Sequence, residues 1–176
     1  MTLRRLLRVT LGIGLLAGGV ALAADEPAIA VRLPRTTFNM KLSGTEIVAP
    51  HVQLSRANNE LRGRVGDATV AFKVEGDKLT GNIGGAPVNL KAQMDGDTLK
   101  GKGGFAGSPS EVRLSPSELH VYVNQCTYRL KHTEGRYVGK RSCDLALQPP
   151  TEVTIPDALN QYSPVERVAL LLLALG

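Results

Sequence analysis

The side chains that could do chemistry are few and scattered. His51, His120 and His132 are the only imidazoles available for general acid–base work or metal ligation. No two of them stand four residues apart, the spacing that puts a metal-binding pair on one helix face. His120 falls on the outward parity of a strand and His132 lies beside a turn, so both read as surface residues. There is no Gly-x-Ser-x-Gly nucleophile elbow and no phosphate-binding P-loop. Asp95-Gly96-Asp97 begins like a calcium loop but lacks the further oxygen ligands and the closing Glu. The glycine-rich run Gly101 to Gly107 does not open a helix, so it is no phosphate cradle. The sequence therefore names no catalytic residue, no metal ligand and no cofactor, and it reads as non-enzymatic.

The two cysteines carry a more specific signal. A two-residue turn at Glu134-Gly135 pairs Thr133 with Arg136 and, counting outward, brings Cys126 opposite Cys143 at a non-hydrogen-bonded position, where side chains meet. A disulfide here closes a loop of about 18 residues, worth about 3 kcal/mol in the chain-entropy model. The absence of a Cys-x-x-Cys spacing argues against a redox or metal role.

These groups must be positioned by β-structure. Val74-Glu75-Gly76-Asp77-Lys78-Leu79-Thr80-Gly81 recurs as Met94-Asp95-Gly96-Asp97-Thr98-Leu99-Lys100-Gly101, and more loosely from Leu114 to Val121. Each copy reads as a strand end, a tight turn and a new strand. Two-residue turns impose a register that can be tested along the chain. Gly66-Asp67 sets Leu61 opposite Phe72, Gly76-Asp77 sets Phe72 opposite Gly81, and Gly84-Gly85 sets Leu79 opposite Leu90. Gly96-Asp97 pairs Met94 with Leu99, Pro116-Ser117 pairs Leu114 with Leu119, and Asn124-Gln125 pairs Val123 with Cys126. A longer loop from Ala106 to Glu111 would set Phe105 opposite Val112. One apolar face survives every reversal. The fold class is all-β: an antiparallel up-and-down meander or barrel of about 8–10 short strands with one short C-terminal apolar helix. The Gly-Asp-x-Leu-x-Gly hairpins resemble those of up-and-down barrels such as the calycin-like domains, over residues 50–145, in turn chemistry that implies a fold and no activity.

Around this unit the chain divides plainly. Residues 1–24 combine Arg4, Arg5 and Arg8 with an apolar run and an Ala21-Leu22-Ala23 cleavage site, the pattern of a secretory signal peptide. Residues 25–50 are an N-terminal lead-in with one strand, Phe38 to Leu42. Residues 51–148 form the meander or barrel, with Cys143, Leu145 and Leu147 continuing its inward face. Residues 149–162 are a Pro-containing linker in which Val153 and Ile155 suit one more short strand. Residues 163–176 are the helix, started by Ser163, Pro164 and Glu166 in a capping box. Its run from Val168 to Leu175 is apolar on every side and too short to span a bilayer. It either covers the open end or face of the sheet or offers Val168, Leu171, Leu172 and Leu175 to a partner or membrane.

Charge narrows the partners. Without Arg4, Arg5 and Arg8, the net charge of +5 falls to +2. With no Trp, 3 Phe and 4 Tyr there is little to stack bases on, so nucleic acid is not expected. Basic residues nevertheless concentrate on the outward parity, and Arg62, Arg64, Lys100 and Lys102 are candidate contacts to an anionic lipid or polysaccharide. Gly63, Gly81 and Gly101 on the apolar face suit sheet closure, large opposite neighbours, or space for a ligand or plug. A ligand cavity would be bordered by Val70, Phe72, Ile83, Leu90, Leu99 and Tyr128. The function expected is that of an exported, non-catalytic structural or interaction component of the cell envelope, periplasmic with outer-membrane association, binding an envelope protein or an anionic surface with peripheral membrane contact. Alternatives are a periplasmic carrier of a lipid or other apolar ligand and a small outer-membrane β-barrel.

Overall fold

The computed structural model describes residues 26–176, so the expected signal peptide lies outside the described residues. The rest is one closed antiparallel barrel. Its strands are β1 (Ala28–Leu33), β2 (Thr36–Leu42), β3 (Glu46–Ala49), β4 (Val52–Ala57), β5 (Glu60–Val65), β6 (Ala68–Glu75) and β7 (Lys78–Ile83). They continue as β8 (Ala86–Asp95), β9 (Thr98–Phe105), β10 (Ser108–Leu114), β11 (Glu118–Val123), β12 (Cys126–Thr133), β13 (Arg136–Arg141) and β14 (Thr151–Thr154). Each strand pairs with the next, and β1 pairs with both β2 and β14, so no edge is left open.

The register follows from turn chemistry. Gly66, Gly76 and Gly96 have φ near +60° at the first turn position, the type II′ pattern of a Gly-Asp hairpin. Asn58-Asn59 and Asn124-Gln125 have positive φ at both positions, the type I′ pattern. Leu61 accordingly faces Phe72, Phe72 faces Gly81, Leu79 faces Leu90, Met94 faces Leu99, Leu114 faces Leu119 and Val123 faces Cys126.

Three sequence expectations need correction. The expected loop after Phe105 is a two-residue turn at Ala106-Gly107, so Phe105 faces Ser108 and Val112 faces Gly101. Ala106 takes φ of +50° there, and Pro109 needs no ladder donor toward β11, because β10 first meets β11 at Glu111. Leu145 and Leu147 do not continue the inward face; they are 70% and 100% exposed in the loop between β13 and β14. The barrel also holds fourteen strands rather than eight to ten. β1 and β3 flank β2 within the lead-in, and β14 lies within the linker and closes the ring.

Strand number sets what the interior requires. An eight-stranded barrel is about filled by its own side chains, and diameter grows with strand number. Fourteen strands leave a lumen that inward side chains cannot fill. Helix α1 (Pro164–Leu175) fills it. Beyond β14, the chain makes a 3-10 turn at Asp157–Gln161 and enters at the end where the turn Ser43–Thr45 lies. It finishes beside the β11–β12 turn at the opposite end, with Gly176 against Val123 and Asn124. Val165, Val168, Ala169, Leu170, Leu171 and Leu172 are completely buried. They share one core with Ile29, Met40, Leu54, Leu79, Leu99 and Leu130 of the wall.

Two glycines show how wall and plug fit together. At Gly81, φ is +149° and a Cβ would lie 1.9 Å from the Ala71 carbonyl oxygen, so the strands approach there more closely than any side chain permits. At Gly101 a Cβ would lie 2.4 Å from Val168, so this gap in the wall is the seat of the helix. Leu171→Ala is expected to cost about 2–5 kcal/mol in urea unfolding. A chain ending at Tyr162 is expected to lose the cooperative transition and to bind a hydrophobic dye; a truncated chain that melted like the full-length protein would contradict the role of the helix as core.

Candidate functional site

Polar clusters fasten the helix at both ends. At its entry Ser163 caps the helix: its side chain accepts from the Glu166 amide, and Glu166 accepts from the Ser163 amide at 2.8 Å. Arg56, at the end of β4, donates to both Glu166 carboxylate oxygens, at 2.7 and 3.1 Å. The same guanidinium stacks on Tyr162 at 4.9 Å, and the Tyr162 hydroxyl donates to the Ser43 carbonyl at 2.6 Å. Burial works to raise the Glu166 carboxyl. The hydrogen bonds from Arg56 and Ser163, with the Arg56 charge, outweigh it and hold the group below the usual carboxylate range.

At the far end the Tyr128 hydroxyl donates to the Leu175 carbonyl at 2.5 Å, giving a partner to an acceptor that the helix terminus leaves free. Arg141 reaches Tyr128 and also donates twice to Asp144, at 2.9 and 2.7 Å. Burial raises the Tyr128 hydroxyl above its ordinary value despite Arg141. Cys126 and Cys143 form the expected disulfide, beyond the β12–β13 ladder, with Cα atoms 5.5 Å apart. Lys140 donates to the carbonyls of Ala146 and Gln148. The loop presenting Leu145 and Leu147 is thus tied down on both sides of its leucines, and the leucines still face solvent.

The sequence-nominated residues separate under this geometry. Val168, Leu171, Leu172 and Leu175 are 0–4% exposed, so they are not a contact surface: the closed wall surrounds them. Val70, Phe72, Leu90, Leu99 and Tyr128 are buried and Ile83 half-buried, all packed in the core that the helix completes rather than around a ligand space. Arg62 and Arg64 lie on β5, four strands from Lys100 and Lys102 on β9, so the four cations are not one patch. Arg62 and Arg64 are also paired locally, with Glu60 and Asp67. His51 stacks edge-on to Phe38 and His132 to Tyr137, and among the described residues no group of three or more His, Cys, Asp or Glu side chains could hold a metal ion.

What topology does assemble is a basic stripe that simple outward parity did not resolve. Lys91 faces Lys102, Lys100 faces Arg113, Arg113 faces His120, and His120 faces Arg129. The signal lay in the register: the turns that align the apolar face also fix the order of the outward one. Shallow grooves of about 360 and 440 Å³ lie on either side of Arg113.

Neither a protein-family model nor a curated protein nor a solved structure matches the chain.

Glu166 makes the fold pH-sensitive in one direction. Its folded pKa lies below its unfolded one, so the stability it contributes is present at neutral pH and is lost as pH falls through the folded value. Glu166→Gln is expected to lower stability at neutral pH by about 2 kcal/mol, less than for a fully buried pair because Arg56 stays partly solvated. The variant should also flatten the acid limb of the stability–pH curve, measured by urea unfolding at stepped pH. Reduction of the disulfide should remove about 3 kcal/mol, read as a lower urea midpoint in dithiothreitol.

Proposed function

We propose that the protein is an exported, non-catalytic component of the cell envelope that works by binding a partner on the outside of a plugged barrel. The observation that carries this reading is the occupied interior: the chain's own helix takes the space that a carried ligand would need. What remains for recognition is the wall and the two ends. The disulfide suits an oxidising compartment, in keeping with residues 1–24 as an export signal.

The same wall weighs against the outer-membrane alternative. A lipid-facing barrel carries an apolar band outside and polar groups within. Here the alternation is reversed. Outward positions of β8, β9 and β10 are Asn89, Lys91, Gln93, Lys100, Lys102, Glu111 and Arg113, while Val88, Leu90, Ala92, Leu99 and Val112 point inward. No described helix is long and apolar enough to cross a membrane. Charged strands of this kind suit contact with an envelope surface or with a protein partner rather than insertion.

Osmotic-shock fractionation with mass spectrometry of the N-terminus tests the export half. The chain should be released in processed form without residues 1–24; a cytosolic chain still beginning at Met1 would overturn it. Sedimentation of purified, disulfide-bonded protein with isolated envelopes tests the binding half. Saturable binding that unlabelled protein competes away is expected, and linear, non-competable uptake would count against the reading.

A further inference from the structure

We infer that the stripe across β8 to β12 is a track for one chain of an acidic polysaccharide, with Lys91, Lys102, Arg113 and Arg129 as its principal contacts. This rests on the reading of the protein as an exported binding component and names its ligand class.

The first observation is charge without partners. Several basic side chains elsewhere on the wall are neutralised locally: Arg62 by Glu60, Lys73 by Glu75, and Arg32 and Arg136 by Glu152. Lys91, Lys102, Arg113 and Arg129 form no ion pair among the described residues. All four are exposed. Lys91 and Lys102 are nevertheless cross-strand partners, as are Lys100 and Arg113. Like charges directly opposite destabilise a sheet. Outward positions of a closed barrel are free of packing demands, so the fold does not require this arrangement. A bound anion between the rows removes the repulsion.

The second observation is shape. Neighbouring strands lie about 4.8 Å apart, and the stripe crosses four of the fourteen intervals of the ring. It therefore wraps roughly 100° of a convex wall. A flat lipid surface touches such a wall along one or two strands and leaves the ends of the stripe unmet. A flexible linear polyanion can follow the curve. Glu111 faces Lys102 and Glu118 faces Lys131, so acids enter the grooves beside Arg113 and leave a narrow path along the unpaired cations. Lys100 is held by Asp95, and Lys140, the next basic residue beyond Arg129, is taken up by loop carbonyls. Among the described residues, the cations of the stripe left free to bind are thus Lys91, Lys102, Arg113 and Arg129. The guanidiniums of Arg113 and Arg129 suit forked contact with carboxylate or sulfate. The grooves beside Arg113 are lined by no Phe, Tyr or Trp, so they lack the stacking platform that nucleic-acid bases use.

The test uses the disulfide-bonded chain and four probes in titration calorimetry: dextran sulfate, polygalacturonate, equimolar phosphatidylcholine–phosphatidylglycerol vesicles, and single-stranded DNA. Binding to one or both polysaccharides is expected, weakening linearly with salt on logarithmic axes. R113Q/R129Q should reduce that affinity at least about tenfold and lessen the salt slope by about two, as counterion release for two lost contacts requires. R62Q/R64Q, on the distant β5, should leave it unchanged. Equal or tighter binding to the vesicles or to DNA would overturn the proposal, as would an equal loss in R62Q/R64Q. If R113Q/R129Q retains saturable envelope binding but the wild-type protein ignores both polysaccharides, the track fails while the envelope reading stands.

Discussion

Everything in this fold depends on filling a lumen that is too wide for its own wall. Fourteen strands close the ring and remove every sheet edge, but they open an interior that inward side chains alone cannot pack. A void of that size would forfeit the dispersion contacts that make burial stabilising. An α-helix with side chains is about 10–12 Å across, and it is self-sufficient in backbone hydrogen bonds. That makes it the simplest object able to occupy an apolar lumen without stranding polar groups. The helix in turn could not stand alone: it has only twelve residues, and from Val168 to Leu175 it is apolar on all sides with no water-facing side. Wall and plug each supply what the other lacks.

The two ends of the helix are where polar groups could not be avoided, and both ends solve the problem alike. Each uses an arginine, an acid and a tyrosine: Arg56, Glu166 and Tyr162 at entry, Arg141, Asp144 and Tyr128 at exit. The arginines come from the wall and sit at the ends of strands β4 and β13, where water reaches them. The acids and tyrosines bring charge and hydroxyl groups to the helix entry and to its last carbonyl. This arrangement fixes the depth of the plug as well as its presence, because a shift along the lumen by one turn would break both clusters. The disulfide then ties the exit cluster to β12 from outside the ladder.

Much of this architecture is legible in the sequence, and the reason is the period of the β-pleat. A two-residue turn admits a single register, so an apolar face that survives successive turns is over-determined. The Gly-Asp turns and the Cys126–Cys143 pairing are legible on that basis. The Ala106-Gly107 turn is not, because nothing about alanine announces a φ of +50°, and Pro109 reads as a strand breaker unless the end of β11 is known. Leu145 and Leu147 keep the inward parity by count, but parity carries no meaning once the ladder stops at Arg141. The lead-in hides β1 and β3 for a related reason. Pro34 and Pro50 look like linker residues, whereas here they sit in the turns that follow those strands. Undercounting the strands has a further consequence for the candidate contact residues on the helix. A barrel of eight to ten strands has little lumen to fill, which leaves an apolar helix only the roles of cap or contact surface. With fourteen, its place inside is forced.

That placement also divides the molecule by role. The inward face, the glycines and the helix are committed to packing, and a change there acts through stability. Outward positions answer only to solvent and to whatever the protein meets, so departures from charge balance among them carry more information about function than anything in the core. On β5 and β6 the outward cations have local acids, as solubility alone would arrange. On β8 and β9 Lys91 and Lys102 stand opposite one another without an ion pair among the described residues, and Arg113 and Arg129 on β10 and β12 have none either. The fold gains nothing from that cost, and the register that created the alignment is rigid, since shifting any one strand would turn its core residues to water. A stripe of charge held in line by a barrel that cannot slip is a preorganised surface, and preorganisation lowers the ordering cost that a flexible polyanion would otherwise have to overcome when it binds.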